Sequence, residues 1–194
     1  MTVIKITVEE FLNQVRYQIN DTDKVEYSDA ELISYINEGL RFISNELIRL
    51  SSSLLLKKVN LELTNGEVSL PNDFVKEEAV LNSQGYVLKS YPYAKSIDQY
   101  GYKIIGNKLY SDNTEITLFY YAPYSFVSTL NDEISIPDYL LNLLKEIVVF
   151  LALNRNEYIL TVEQRLFKIF VAQIYEIACS INNSFYEREL PFKI

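Results

Sequence analysis

Apolar residues recur at helical spacing near both ends of the chain and alternate with polar ones in the middle. At the N-terminal end, Val8, Phe11, Leu12, Val15 and Ile19 share one face, and Thr7 with Glu10 makes a T-x-x-E capping box, so residues 8–20 are predicted to be helical. Tyr27-Ser28-Asp29-Ala30-Glu31-Leu32 is a second helix start, with Ser28 as cap. Leu32, Ile33, Ile36, Leu40, Ile43 and Leu47 follow at bundle spacing to about Leu50. Gly39 interrupts this helix at a cost of roughly 1 kcal/mol against Ala, which a close helix–helix approach would explain. The segment Pro137–Asn154 is the spine of the expected fold: Pro137 suits the first helical position, and Ile147 to Leu153 is apolar all the way round. A last helix is expected from Thr161, another capping box, to Asn182-Asn183-Ser184.

Between the helices the period changes to two. From Leu54 the run VNLEL alternates, and Asn65-Gly66 is a strong hairpin signal. Further turns are expected at Ser83-Gln84-Gly85 and Gly106-Asn107, EITLFYY reads as a strand stopped by Pro123, and EISIP leads into the spine helix. The predicted fold class is therefore α+β. A helical bundle (1–53 and 137–184) carries an inserted small antiparallel β-sandwich-like region (54–136) and an extended C-terminal tail (185–194).

Composition narrows the chemistry. A hydrophobic share of 48% excludes a disordered chain. The absence of histidine removes imidazole catalysis, Ser-His and Cys-His nucleophiles and most zinc sites. A net charge of −8 without a clustered basic segment argues against wrapping of nucleic acid, though not against a wall past which DNA slides. Lys5, Glu9 and Glu10 break any N-terminal apolar run, so no signal peptide is expected and the protein reads as soluble and intracellular. Cys179 sits in a helical pattern and reads as a small core residue.

Three clusters could carry chemistry. Asp21, Asp23, Glu26 and Asp29 crowd one loop, but lack the glycine and spacing of a calcium loop, and read as a solvated acidic loop. Glu77 with Glu78, Asp132 with Glu133, and Asp73 could supply paired carboxylates for glycoside hydrolysis. Nine of the 16 tyrosines lie between Tyr86 and Tyr124, as a stacking platform would need, although strand propensity and interface packing are the preferred account of them. The tyrosines and the paired carboxylates support a carbohydrate-binding or cell-wall-hydrolysing β module as the alternative function.

Several segments in order carry a family likeness. They are Tyr27-Ser28-Asp29-Ala30-Glu31-Leu32 with Ile36-Asn37-Glu38, then Leu70-Pro71-Asn72-Asp73-Phe74, then Tyr102-Lys103-Ile104-Ile105-Gly106-Asn107-Lys108-Leu109-Tyr110, then Tyr120-Tyr121 and Ile136-Pro137. Over residues 25 to about 157 the chain resembles the head-to-tail adaptor proteins of short-tailed bacteriophages. The resemblance implies a non-enzymatic virion protein with no cofactor, assembled in the host cytoplasm as a twelve-fold ring. It implies the portal protein on one side, a tail or nozzle protein on the other, DNA passing through without specific binding, and no membrane. The tail adds a candidate partner-binding set, Phe185, Tyr186, Leu190, Pro191, Phe192 and Ile194. These apolar residues show no helical or strand period and are expected to lie as an extended strap in a partner's groove.

Overall fold

The computed structural model describes residues 3–93, 96–154 and 160–188, the last stretch in its side chains only over 167–182. In chain order the elements are β1 (Val3–Thr7), α1 (Val8–Gln18), α2 (Asp29–Arg49), β2 (Leu56–Glu62), β3 (Glu67–Ser69), β4 (Lys76–Asn82) and β5 (Lys89–Ser90). They continue with β6 (Gly101–Ile105), β7 (Lys108–Tyr110), β8 (Glu115–Tyr121), β9 (Glu133–Pro137), α3 (Asp138–Leu153) and α4 (Leu160–Arg188). The protein is α+β, as its sequence predicts. It divides into two compact units, Met1–Ser52 with Tyr124–Ile194, and Ser53–Pro123.

The first unit is helical apart from β1 and β9. These strands pair antiparallel, with Ile4 opposite Ile136 and Ile6 opposite Ile134. EISIP therefore belongs with the helices and not with the inserted strands, because its partner is the N-terminal strand. The two ends of the chain's helical part are joined here. The amides of Val8 and Glu9 donate to the carbonyls of Asp132 (2.9 Å) and Leu130 (3.0 Å). Thr7 and Glu10 complete the predicted capping box, so the first turn of α1 is satisfied without water. Asn37 adds a second tie to the returning chain: its side-chain amide donates to the Val127 carbonyl (2.8 Å) and accepts from the Val127 amide (2.9 Å).

α2 begins where expected, with Ser28 as N-cap accepting from the Glu31 amide. Pro137 is the last residue of β9 and the N-cap of α3, so the helix begins one residue later than predicted, at Asp138. Leu140, Leu144, Ile147, Val148 and Ala152 of α3 are buried, while Leu153, at the end of the all-apolar run, is 57% exposed. α2 and α3 pack closely at Gly39, where an added Cβ would stand 2.6 Å from Leu144 Cδ1. Phe42, Phe150, Phe167 and Phe170 bring α2, α3 and α4 together edge to face, with ring centroids 5.3–6.4 Å apart. Among the described side chains of α4 the buried stripe is Phe170, Ile174 and Ala178, at intervals of four. α4 starts at Leu160 and runs to Arg188, beyond the expected stop at Ser184.

The second unit holds two sheets, ordered β2-β8-β4 and β3-β7-β6-β5. One core draws on both: Val80, Ile116, Leu118 and Tyr120 from the first, Tyr102 and Leu109 from the second, with Leu70 and Leu88 between strands. Asn65 and Gly66 both have positive φ, 54° and 78°, and close the predicted tight turn. The strands it joins do not pair beyond the Thr64–Glu67 bridge, since β2 goes to β8 and β3 to β7. The β6–β7 hairpin forms as predicted around Gly106. One expectation of wholly antiparallel pairing is not met: two-residue β5 runs parallel to β6.

Gly39→Ala tests the close approach, because its two effects have opposite signs. Helix propensity favours Ala by about 1 kcal/mol, whereas overpacking a filled core costs about 1–3 kcal/mol. Leu144 is fully buried and has little room to turn away. The expected result is a Tm lowered by a few degrees, read by calorimetry, and a larger loss for Gly39→Val.

Candidate interaction surfaces

The acidic loop after α1 is built around a buried cation. Arg16 lies on the same face as Leu12 and Ile19 and is 2% exposed. Its guanidinium binds the Asp21 carboxylate, the Tyr27 carbonyl (2.9 Å) and Asp29 Oδ1 (2.8 Å). Asp21 is buried as well and accepts from the amides of Val25 (2.8 Å), Glu26 (2.9 Å) and Tyr27 (3.3 Å). Burial works against its ionisation, but those amides and Arg16 outweigh burial and hold its pKa below the usual carboxylate value. Tyr27, itself buried, carries the connection onward by donating its hydroxyl to the Ala152 carbonyl in the last turn of α3 (3.0 Å). The loop is thus an internal joint between α1, α2 and α3. Only its outer carboxylates, Asp23 and Glu26, are solvated as the sequence suggested. The sequence carried a sign of this joint: an arginine inside an apolar helical stripe, five residues before an aspartate.

The candidate carboxylates of a hydrolytic site hold local structure. Asp73 accepts from Lys57 Nζ (2.6 Å) and the Tyr120 hydroxyl (3.0 Å), and the Lys57 bond is the main cause of its lowered pKa. Glu78, the extra residue of a bulge between Glu77 and Ala79, accepts from the Tyr121 hydroxyl (3.0 Å). Asp132 caps its own turn, accepting from the Ser128 and Thr129 amides (2.6 and 3.0 Å) and the Thr129 hydroxyl (2.8 Å), which lowers its pKa. Glu133 pairs with Lys5 at 3.1 Å. Among the described residues no three His, Cys, Asp or Glu side chains form a metal-binding group.

The tyrosine-rich stretch divides. Tyr102, Tyr120 and Tyr121 are buried, while Tyr86, Tyr93 and Tyr100 are exposed on the turn after β4 and the segment before β6. Tyr91 and Tyr110 carry Lys89 and Lys103 over their rings. Burial raises the pKa of Tyr124, whose hydroxyl is enclosed in the helical unit without a hydrogen-bond partner. Cys179 is half-buried, so it is not the core residue its pattern suggested.

Of the expected partner-binding set, Phe185 and Tyr186 fall on the helical backbone of α4, because the helix continues to Arg188. Leu190, Pro191, Phe192 and Ile194 lie outside the described residues.

A model of the SU10 adaptor protein family matches residues 6–176. The chain belongs to the SU10 adaptor protein family. It is a structural adaptor of a bacteriophage virion, as the ordered motifs suggested. The match runs from β1 into α4 and takes in both compact units, and the C-terminal segment follows it. No curated protein matches the adaptor. Among its described residues no helix is long and apolar enough to cross a membrane.

The Arg16 joint has a measurable consequence. In Arg16→Ala the Asp21 carboxylate stays buried without its cation, and the Tm should fall by on the order of 10 °C. Asp23→Asn, at an exposed position of the same loop, should leave it unchanged. A carboxylate with a lowered folded pKa adds stability above its unfolded value, about 4, and loses it as pH falls through the folded value. Asp21, Asp73 and Asp132 all shift this way. The Tm of the wild type should therefore drop steeply below about pH 4.

Proposed function

We propose that this adaptor assembles as a twelve-membered ring beneath the portal, joins capsid to tail, and continues the channel through which the genome passes. The observation that carries this reading is the family match across both compact units. The engagement of Asp73, Glu78, Asp132 and Glu133 in local hydrogen bonds and ion pairs supports a part built for assembly rather than turnover. The acidic excess of the chain fits a channel wall that does not hold DNA, since clustered Lys and Arg would bind phosphate and release counterions. In this reading the inward wall is predominantly acidic, DNA passes without specific contacts, and a tail or nozzle protein binds the distal side. The ring assembles in the host cytoplasm and has no active site.

The portal contact in this proposal is made by Phe185, Tyr186, Leu190, Pro191, Phe192 and Ile194. The helical backbone at 185–186 modifies the strap expected from sequence: its first two aromatic residues would meet the partner on a helix end. Each large apolar side chain seated in a groove gains about 1.5–3 kcal/mol, enough for the set to drive docking.

The test is reconstitution of the full-length chain with its portal, followed by mass measurement and binding. A species of twelve adaptor subunits on the portal is expected, with no release of peptidoglycan fragments by the adaptor alone. Truncation after Arg188 should abolish portal binding and leave the Tm in place. A different stoichiometry, or hydrolysis lost on changing one Asp or Glu, would overturn the reading. A truncated chain that melts early but still binds would make the tail part of the core.

A further inference from the structure

In an antiparallel ladder each residue sends its amide and carbonyl toward one neighbouring strand, and the side alternates along the chain. In β2 the alternation is fixed at both ends. The Ala122 amide donates to the Leu55 carbonyl (3.1 Å), and the Leu63 amide donates to the Thr114 carbonyl (2.8 Å). Lys57, Val59 and Leu61 therefore bond to β8, and Lys58, Asn60 and Glu62 send their amides and carbonyls the other way. Among the described residues no strand stands on that side, since β2 ends its sheet, and no backbone hydrogen bond reaches those three from it. Thr64, next in the same phase, exchanges both its bonds with Glu67 (3.0 and 3.2 Å). The far edge of the sheet is partly covered: in β4 the Val80 carbonyl accepts from Leu88 and the Asn82 amide donates to Tyr86. The middle of β2, a seven-residue strand, thus presents bare donors and acceptors, through which a sheet grows by one more strand. The side chains specify that strand. Lys58, Asn60 and Glu62 lie exposed on the outer face, while Val59 and Leu61 are partly buried against the core. Lys58 Nζ lies 5.7 Å from the Phe119 ring centroid, and Asn60 Oδ1 accepts from the Thr117 hydroxyl (3.0 Å). Glu62 stands across from Glu115, a like charge that repels it. Among the described residues neither Lys58 nor Glu62 has an ion-pair partner.

We propose that the added strand is β2 of a second copy, running antiparallel about a two-fold axis at Asn60. Lys, Asn and Glu spaced by two are complementary to their own reverse. In this register Lys58 of each copy faces Glu62 of the other, and the two Asn60 amides face each other. Sliding one copy by two residues sets a charge against Asn60, and sliding it by four sets Lys58 on Lys58 or Glu62 on Glu62. Only the register centred on Asn60 answers both charges, and the lysine it brings to Glu62 offsets the repulsion from Glu115. On the opposite face Val59 of each copy meets Leu61 of the other, so the apolar residues at the sheet edge gain cover. Each facing pair, 58 with 62 and 60 with 60, closes two backbone hydrogen bonds. The ladder stops at Thr64, whose bonds Glu67 already holds. The contact is isologous, the same patch on both copies, and closes at two. Such a contact does not recur around a cyclic ring. It belongs to the chain before it enters one, and it does not rest on the ring reading.

Sedimentation of the full-length chain without portal tests it. A dimer is expected, and Lys58→Glu should weaken it at least about tenfold, because carboxylate then faces carboxylate twice. Adding Glu62→Lys should restore it, since the exchanged pair is complementary again. A monomeric parent overturns the proposal, and so does failure of the rescue in a double variant that melts like the parent. Asn60→Pro removes the amide at the axis and none of the bonds to β8, so it should keep the parental Tm and be monomeric. A dimer that survives this change overturns the contact. In a Cys179→Ser background, Asn60→Cys should oxidise to a disulfide-linked dimer and nothing larger, since facing residues of such a pair stand about 5.5 Å apart. Thr117→Cys, one strand further in on the same face, should stay monomeric. A disulfide forming there as fast as at position 60 means that faces meet rather than edges, and overturns the proposal. A chain that is monomeric alone yet forms rings on the portal removes this contact and leaves the ring reading standing. A dimer that never gives a ring supports the contact and removes the ring.

Discussion

The helical unit is made from two stretches of chain separated by the whole insertion, and everything in it depends on how the second stretch is brought back to the first. The return is accomplished by backbone hydrogen bonds to a helix start. The first-turn amides of α1 point at the carbonyls of Leu130 and Asp132, and β9 lies along β1 immediately beyond. Unsatisfied amides at a buried helix end are costly, so the returning chain is held wherever those donors are. Asp132 shapes the turn that presents its own carbonyl, and Asn37 holds Val127 in the manner of a strand partner. With the return fixed, Pro137 ends β9 and starts α3 without an intervening loop, and α3 passes α2 at Gly39.

What could be read from the sequence was what neighbours in sequence decide. The Thr7 and Ser28 caps, the positive-φ turn at Asn65-Gly66, the hairpin at Gly106 and the end of β8 before Pro123 each depend on a few adjacent residues. Pairings that depend on distant residues were not legible. Nothing local in EISIP says that it will choose β1 over the strands just before it. Nothing at Asn65-Gly66 says that β2 and β3 will separate into different sheets. The extension of α4 past Asn182-Asn183 overrides a weak polar stop, because a helix already propagated adds residues at little cost. The family likeness was legible because it is a matter of motif order, and order survives when pairing cannot be guessed.

The candidate interaction surfaces divide along the same line. Residue types suggested a solvated acidic loop and a stock of free carboxylates, yet Asp21, Asp73, Glu78 and Asp132 are occupied within the fold. A carboxylate's availability depends on the donors that three-dimensional structure brings to it, and composition does not report those. The tyrosines show the same effect in hydrophobic form: two support the core of the second unit and three others stand in water.

The insertion leaves and re-enters through one cross-strand pair, Leu56 opposite Tyr121, at opposite ends of the contiguous segment it encloses. Facing residues of an antiparallel ladder stand about 5 Å apart. A contiguous unit of this kind can fold on its own contacts, and doing so brings its two ends together. For the rest of the chain, the long loop between α2 and β9 then shrinks to a short connection. Loop-closure entropy grows with the logarithm of loop length, so removing most of that loop saves roughly 1 kcal/mol at the step that joins β9 to β1. The second unit is therefore also a timing element, since its own collapse shortens the search that completes the first.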